Sequence, residues 1–359
     1  MTAEPQEAPA PAPAAEEAIP AGIEVPRAPR WARLATANVL WIFLILIGLV
    51  IAFTTIQPAF LTPFNVRSIF ADNSGLIVLA IGMTFVIITA GIDLSVGMVL
   101  IFSGVIAGKV MLGLGSGHSA VGAESAGWGV VGIGLVAGLA AGLGWGIVNG
   151  LLVTKARVPP LIVTLGTYGM ALGGSFLLTG GTDLRGIPTS FTSTIGFGNA
   201  FWQVPYLVVI TVIVAAVLGL VLAYTRFGRY TYAIGSNGEA ARRVGVDVDR
   251  HLVKVYGLMG LLAGIAGCMN LAHFTTTTIG GHTFDNLAAI SAAVIGGTSL
   301  FGGRGSVPGT IIGVLIPATL ASGFVIIGVQ PYWQYVAVGM VLIGAVFLDQ
   351  VRRRTRERS

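Results

Sequence analysis

The sequence predicts an all-α polytopic membrane protein of about ten transmembrane or half-membrane helices, and three observations predict it. Only 10% of residues are charged and 54% are hydrophobic, whereas soluble domains carry roughly 25% charged residues. Mean hydropathy is +0.86, and apolar runs of about 18 or more residues recur, each long enough to cross a ~30 Å hydrocarbon layer as a helix. Glycine, at 52 of 359 residues, stands at about twice its usual share, as expected where helices must approach closely without a hydrophobic drive.

The elements follow in order. Residues 1–34, rich in Ala, Pro and Glu, read as a disordered cytoplasmic tail without the basic-then-apolar layout of a signal peptide. The transmembrane domain occupies 35–350, and 351–359 form a basic cytoplasmic tail. Apolar segments at 38–57, 75–91, 95–113, 127–153, 161–179, 205–225, 252–272, 287–301, 308–327 and 332–349 are the expected spans. The segments 75–91 and 287–301 are short and read as broken or re-entrant. Trp31, Trp41, Trp202 and Trp333 suit interfacial anchoring. Cys268 is the single cysteine, so no intrachain disulfide can form.

Orientation follows from the basic residues. With the N-terminus in the cytoplasm and all segments crossing, only Arg67, Lys109 and Arg185 of the 20 Lys and Arg residues fall outside. That bias is the positive-inside pattern and puts both termini in the cytoplasm. The net charge of +5 therefore reports topology and does not imply nucleic-acid binding.

Sliding the chain by 211 residues lays 38–57 on 249–268 and 75–91 on 286–302, an internal repeat carried more by hydropathy than by identities. Each copy holds a broken-helix motif, Ala90-Gly91-Ile92-Asp93-Leu94-Ser95 in the first and Gly302-Gly303-Arg304-Gly305-Ser306 in the second. Gly91 and Gly302 can end helices in the left-handed conformation, and Ser95 and Ser306 can cap the next ones. Asp93 lies in an apolar stretch, where a carboxylate costs roughly 2.5–3.5 kcal/mol on insertion scales and needs a partner or water. Two arrangements are open. Asp93 and Arg304 pair across the repeat interface, or Asp93 caps the following helix while Arg304 faces the cytoplasm.

The longest polar interruption, 226–254, falls on the cytoplasmic side and contains Gly238-Glu239-Ala240-Ala241-Arg242-Arg243-Val244-Gly245. The alanines favour a short helix, Gly238 gives an entry and Gly245 a stop. This loop resembles the EAA-type loop of ABC importer permeases. Gly82 to Gly97 (GMTFVIITAGIDLSVG), Ala293 to Gly305 (AVIGGTSLFGGRG) and the Ala233-Ile234-Gly235-Ser236-Asn237 lead-in resemble the ribose/xylose/arabinose-type permeases, over about 35–350. Ala90 stands where that family often has Gly, a change expected to be mild. The resemblance implies the membrane subunit of a binding-protein-dependent sugar importer in the inner membrane. It implies three partners: a second permease copy or related paralogue, a cytoplasmic ABC ATPase with two nucleotide-binding domains, and a periplasmic sugar-binding protein. ATP and Mg would act on the ATPase, no cofactor is expected on this chain, and Gly238 to Arg243 with Gly245 would contact the ATPase.

Asn73, Ser74, Asn270, His273, Phe274 and Asn286, on the outer half, are candidates to line a weakly binding sugar path. Asn149, Asn270 and His273 read as isolated polar residues, the run 275–278 reads as an outer loop, and His118 and His282 fall in outer loops without a metal-like cluster. Scarcity of intramembrane charge disfavours ion drive. An ion-coupled secondary transporter using Asp93 is the alternative, and no nucleophile–base or metal constellation points to an enzyme.

Overall fold

The computed structural model describes residues 37–115 and 125–330 and scattered positions between 332 and 347. The two expected tails, Trp31, His118 and most of the span expected at 332–349 lie outside the described residues. Described residues form α1 (Ala37–Ile56), α2 (Pro63–Asp72), α3 (Ser74–Ile88), α4 (Val96–Gly115), α5 (Trp128–Thr154), α6 (Pro160–Thr179), α7 (Tyr206–Tyr224), α8 (Arg226–Ser236), α9 (Gly238–Arg243), α10 (Val248–Phe274), α11 (Asp285–Ile295) and α12 (Val307–Ile326). Seven of these are long and apolar enough to cross a membrane, and α2 with α3, bent by 46° at the break between them, has the geometry of a broken span or a re-entrant loop.

Two expected spans change shape. The segment 58–74, which carries the outward-assigned Arg67, contains α2, so the helix of 75–91 is one arm of that bent pair. Thr62 caps α2 by accepting the Asn65 N–H, and Pro63 suits its first turn. In place of the expected span 287–301 stands α11, which starts two residues earlier and ends at Ile295 after 11 residues. At 1.5 Å per residue that is about 16 Å, half a bilayer.

α3 sits at the centre, with all its residues from Ser74 to Ile88 buried except Leu76. A helix apolar on every face belongs inside a bundle. By contrast α1 exposes most of its side chains, as a helix bordering lipid does. The closest packing joins α5 to α10 and α4. Gly134, Gly138, Gly142, Gly146 and Gly150 recur every fourth residue on α5 and are buried. A β-carbon on Gly142 would lie 2.9 Å from the Cα of Gly264, and one on Gly150 2.7 Å from the Cα of Val253. The helices thus touch backbone to backbone, the arrangement small residues permit in membranes.

Helix starts at Ala37, Ser74 and Val96 recur at Val248, Asp285 and Val307, each 211 residues on, and α4 and α12 also end 211 residues apart. The copies interlock: α1 packs on α12, α10 on α4, and α3 on α11. One element breaks the correspondence. Where the first copy has α2, the second has a non-helical segment, 275–284.

Candidate functional site

Three helices end in the same way, two of them, α3 and α11, at the two breaks. α3 ends with Gly91 N–H on Val86 O (3.0 Å) and Ala90 N–H on Ile87 O (2.8 Å). α9 ends with Val246 N–H on Ala241 O and Gly245 N–H on Arg242 O (both 3.0 Å). α11 ends with Thr298 N–H on Ala293 O and Gly297 N–H on Val294 O (both 2.9 Å). This paired closure needs a left-handed residue, supplied by Gly245 (φ +86°) and Gly297 (φ +90°) but by Ala90 (φ +60°) on α3. Gly91 is therefore not the left-handed residue, and Ala90 is a strained position, not a mild change. Ala90→Gly is expected to raise stability by about 1 kcal/mol, read as a higher melting temperature in detergent. Gly302 (φ +86°) and Gly303 (φ +73°) shape the loop of the second break.

Asp93 is buried and does not pair with Arg304. Its Oδ1 accepts the Ser95 N–H (2.9 Å) and the Ser95 hydroxyl (2.6 Å), and Asn149 Nδ2 donates to Ser95 Oγ (2.9 Å). The carboxylate is held by local donors, and Arg304 is exposed. Asn149 is accordingly not isolated, and it ties the first break to α5. The Ser95 hydroxyl is engaged by Asp93 and Asn149, whereas Ser306 caps α12 by accepting the Gly309 N–H (3.2 Å).

α8 and α9 form a hairpin against these breaks. Thr225 caps α8 and Asn237 caps α9, accepting Ala240 N–H (2.9 Å). Ile234, Ala241 and Val248 form its small core. Glu239 in the first turn of α9 and Arg242 and Arg243 in the last suit the helix dipole. Gly238 is the first residue of α9, not a linker before it. Glu239, Ala240, Arg243 and Val244 are exposed, and Arg242 pairs with Asp249 (2.5 Å). The Tyr232 hydroxyl donates to Gly305 O (2.7 Å), and burial pushes its phenol above the ordinary value, so it stays a donor. Gly303 N–H donates to Ile88 O (2.8 Å), and Gly235 sits against both groups.

The second site lies at the end of the bundle expected to face outside. Asn270, His273 and Phe274 share one face of α10. Asn270 Nδ2 lies 3.3 Å from His282 Nε2, His282 Nδ1 2.8 Å from Asp285 Oδ2, and His273 Nε2 2.9 Å from Asp72 Oδ1. Asn270 and His273 are thus partnered, not isolated. The Phe274 ring centroid lies 5.0 Å from that of His273 and 5.9 Å from that of His282. Asn286 donates to Leu94 O (3.1 Å), close to the first break. Asn73 and Ser74 bond back to Ile69 O and Phe70 O, so their side chains serve the bend between α2 and α3.

A small cleft lined by Leu100, Gly104, Gly267, Asn270, Thr276–Thr278 and His282 opens beside this cluster. The 275–284 segment borders it and is pinned to the 183–184 stretch. Thr277 Oγ1 accepts Leu184 N–H (2.9 Å), Thr276 donates to Leu184 O (2.7 Å), and Asp183 accepts Ile279 N–H (2.9 Å). Asp72, Asp183, His282 and Asp285 were not singled out as site residues by the sequence. Only the His282-x-x-Asp285 spacing at a helix start offered a signal.

The family described as branched-chain amino acid transport system / permease component matches residues 65–346. A fructose import permease protein of Rhizobium meliloti is 34% identical over 320 residues, covering 87% of this chain and 85% of its own length. A ribose import permease protein of Bacillus subtilis (strain 168) is 36% identical over 310 residues, covering 86% and 91%. A D-allose transport system permease protein of Escherichia coli (strain K12) is 34% identical over 311 residues, covering 86% and 90%. No solved structure matches the chain.

Proposed function

This chain belongs to the family described as branched-chain amino acid transport system / permease component, and from that premise we propose that it carries a monosaccharide or closely related polyol inward as the membrane subunit of an ATP-driven ABC importer. The family description names amino acids, but the relatives at 34–36% identity are permeases for fructose, ribose and allose. We follow the relatives, because their similarity runs over most of this chain. A second permease copy, a two-domain ABC ATPase holding ATP and Mg, and a periplasmic sugar-binding protein complete the assembly. Both termini face the cytoplasm of the inner membrane, as the distribution of basic residues supports.

One observation carries this reading: a short capped helix, α9, stands with an exposed Glu239, Ala240, Arg243 and Val244 beside the junction of two broken spans. Such a placement suits a cytoplasmic ATPase seated on α9. The polar cluster of Asn270, His282, Asp285 and His273 offers donors, acceptors and an aromatic neighbour, groups that suit a hydroxylated neutral solute. Its cleft is narrow, as suits a path whose affinity resides in a separate binding protein.

Uptake of labelled D-ribose, D-fructose and D-allose into proteoliposomes, with the ATPase and binding protein present, is the test. Transport that needs ATP and ignores dissipation of ion gradients is expected. Asp93→Asn is expected to retain more than about half of the uptake, because an amide oxygen still accepts both Ser95 bonds. Uptake that persists without ATP, collapses with the gradient and vanishes in Asp93→Asn would establish the ion-coupled alternative.

A further inference from the structure

We propose that Tyr232 and Gly235, at the last turns of α8, are positioning residues that make the α8–α9 hairpin and both helix breaks move as one body. The inference rests on the importer reading for the source of the motion, and on geometry for the link itself. Three backbone strands converge where α8 ends. The carbonyl of Ile88, the last residue of α3, accepts the Gly303 N–H at 2.8 Å, which joins the first break to the second. Tyr232 donates to Gly305 O at 2.7 Å, which joins α8 to the second break. Gly235 fills the remaining gap with backbone alone. A β-carbon there would overlap Ile88 O and lie 2.6 Å from Gly303 N.

α9 is closed at both ends, by the Asn237 cap and by Gly245. On the other side of the junction, Gly297, Gly302 and Gly303 hold positive φ, conformations that glycine adopts without a side-chain penalty. Because Ile88 O binds Gly303, displacement of α8 reaches α3 and the 302–305 loop together. The two copies of the repeat are therefore addressed at one point, not through separate loops.

The test places spin labels at two exposed positions, Arg229→Cys on α8 of the hairpin and Arg304→Cys on the second break, in a Cys268→Ala chain in lipid nanodiscs. Their separation is measured by pulsed electron resonance in the chain alone and in complex with the ABC ATPase trapped by ATP and vanadate. The distance is expected to stay constant between the two states. Tyr232→Phe is expected to raise the population away from that distance about fivefold, the factor one ordinary hydrogen bond allows, with an unchanged melting temperature. An unaltered distribution in Tyr232→Phe overturns the link. So does a parent distance that shifts on trapping, or broadening that comes with a general loss of stability. Failure to bind the ATPase would instead count against the importer reading, and the nanodisc comparison would still decide the link.

Discussion

Gly146→Ala is expected to cost about 3 kcal/mol or more, the upper range for overpacking a core, and to abolish recovery of the monodisperse chain after mild heating in detergent. The added methyl would overlap the Tyr256 carbonyl and lie 3.0 Å from the Cα atoms of Gly257 and Gly260. All three obstacles are backbone, so no rotamer change can relieve the clash, and α5 must move away from α10. That separation would disturb the whole glycine row and, through Asn149, the bonds that hold Ser95 and Asp93. Gly144→Ala is the matched control. No atom lies within 4 Å of a β-carbon at Gly144, so the same exchange should gain up to about 1 kcal/mol from helix propensity. Equal behaviour of the two variants in a thermal-stability assay would contradict the backbone contact.

Gly235→Ala is expected to lower sugar uptake at least about tenfold, the equivalent of 1.4 kcal/mol, while ATP hydrolysis by the assembled complex falls far less. A methyl at this position would displace Gly303 from Ile88 O and open the junction between the hairpin and both breaks. Gly238→Ala, three residues on, meets nothing within 4 Å and is expected to leave the junction between Ile88 and Gly303 intact. Uptake and hydrolysis falling in proportion would mean that Gly235 serves assembly and not transmission.

Much of the fold was legible because hydropathy and helix punctuation act locally. The long spans are apolar enough to be counted without contacts, and the 211-residue repeat of helix starts was visible as a repeat of hydropathy. Thr62, Thr225, Asn237 and Ser306 cap helices as their residue types lead one to expect. Less was legible where two partners lie far apart in sequence. Asp93 pairs with its own neighbour Ser95, but Asn149, 54 residues away, completes the site, and His273 finds Asp72 across 201 residues. Spacing along one helix cannot announce either contact. Ala90 was underestimated for a related reason. Its sequence context is unremarkable, and only the backbone closure of α3 reveals the positive φ.

The sequence by itself determined that this is a bundle of membrane helices with an internal repeat, broken spans and a polar helical hairpin. These follow from where apolar runs, glycines, caps and charges stand along the chain. Tertiary structure decided which of those features meet. It brought the hairpin to both breaks, left Asp93 and Arg304 apart, and replaced the second copy of α2 by the 275–284 segment beside the polar cleft. The physical reason is that hydropathy and capping depend on neighbours within a turn or two. The contacts that join distant segments are instead backbone approaches, allowed by a missing side chain at Gly146, Gly235 or Gly303 and set by the packing of whole helices.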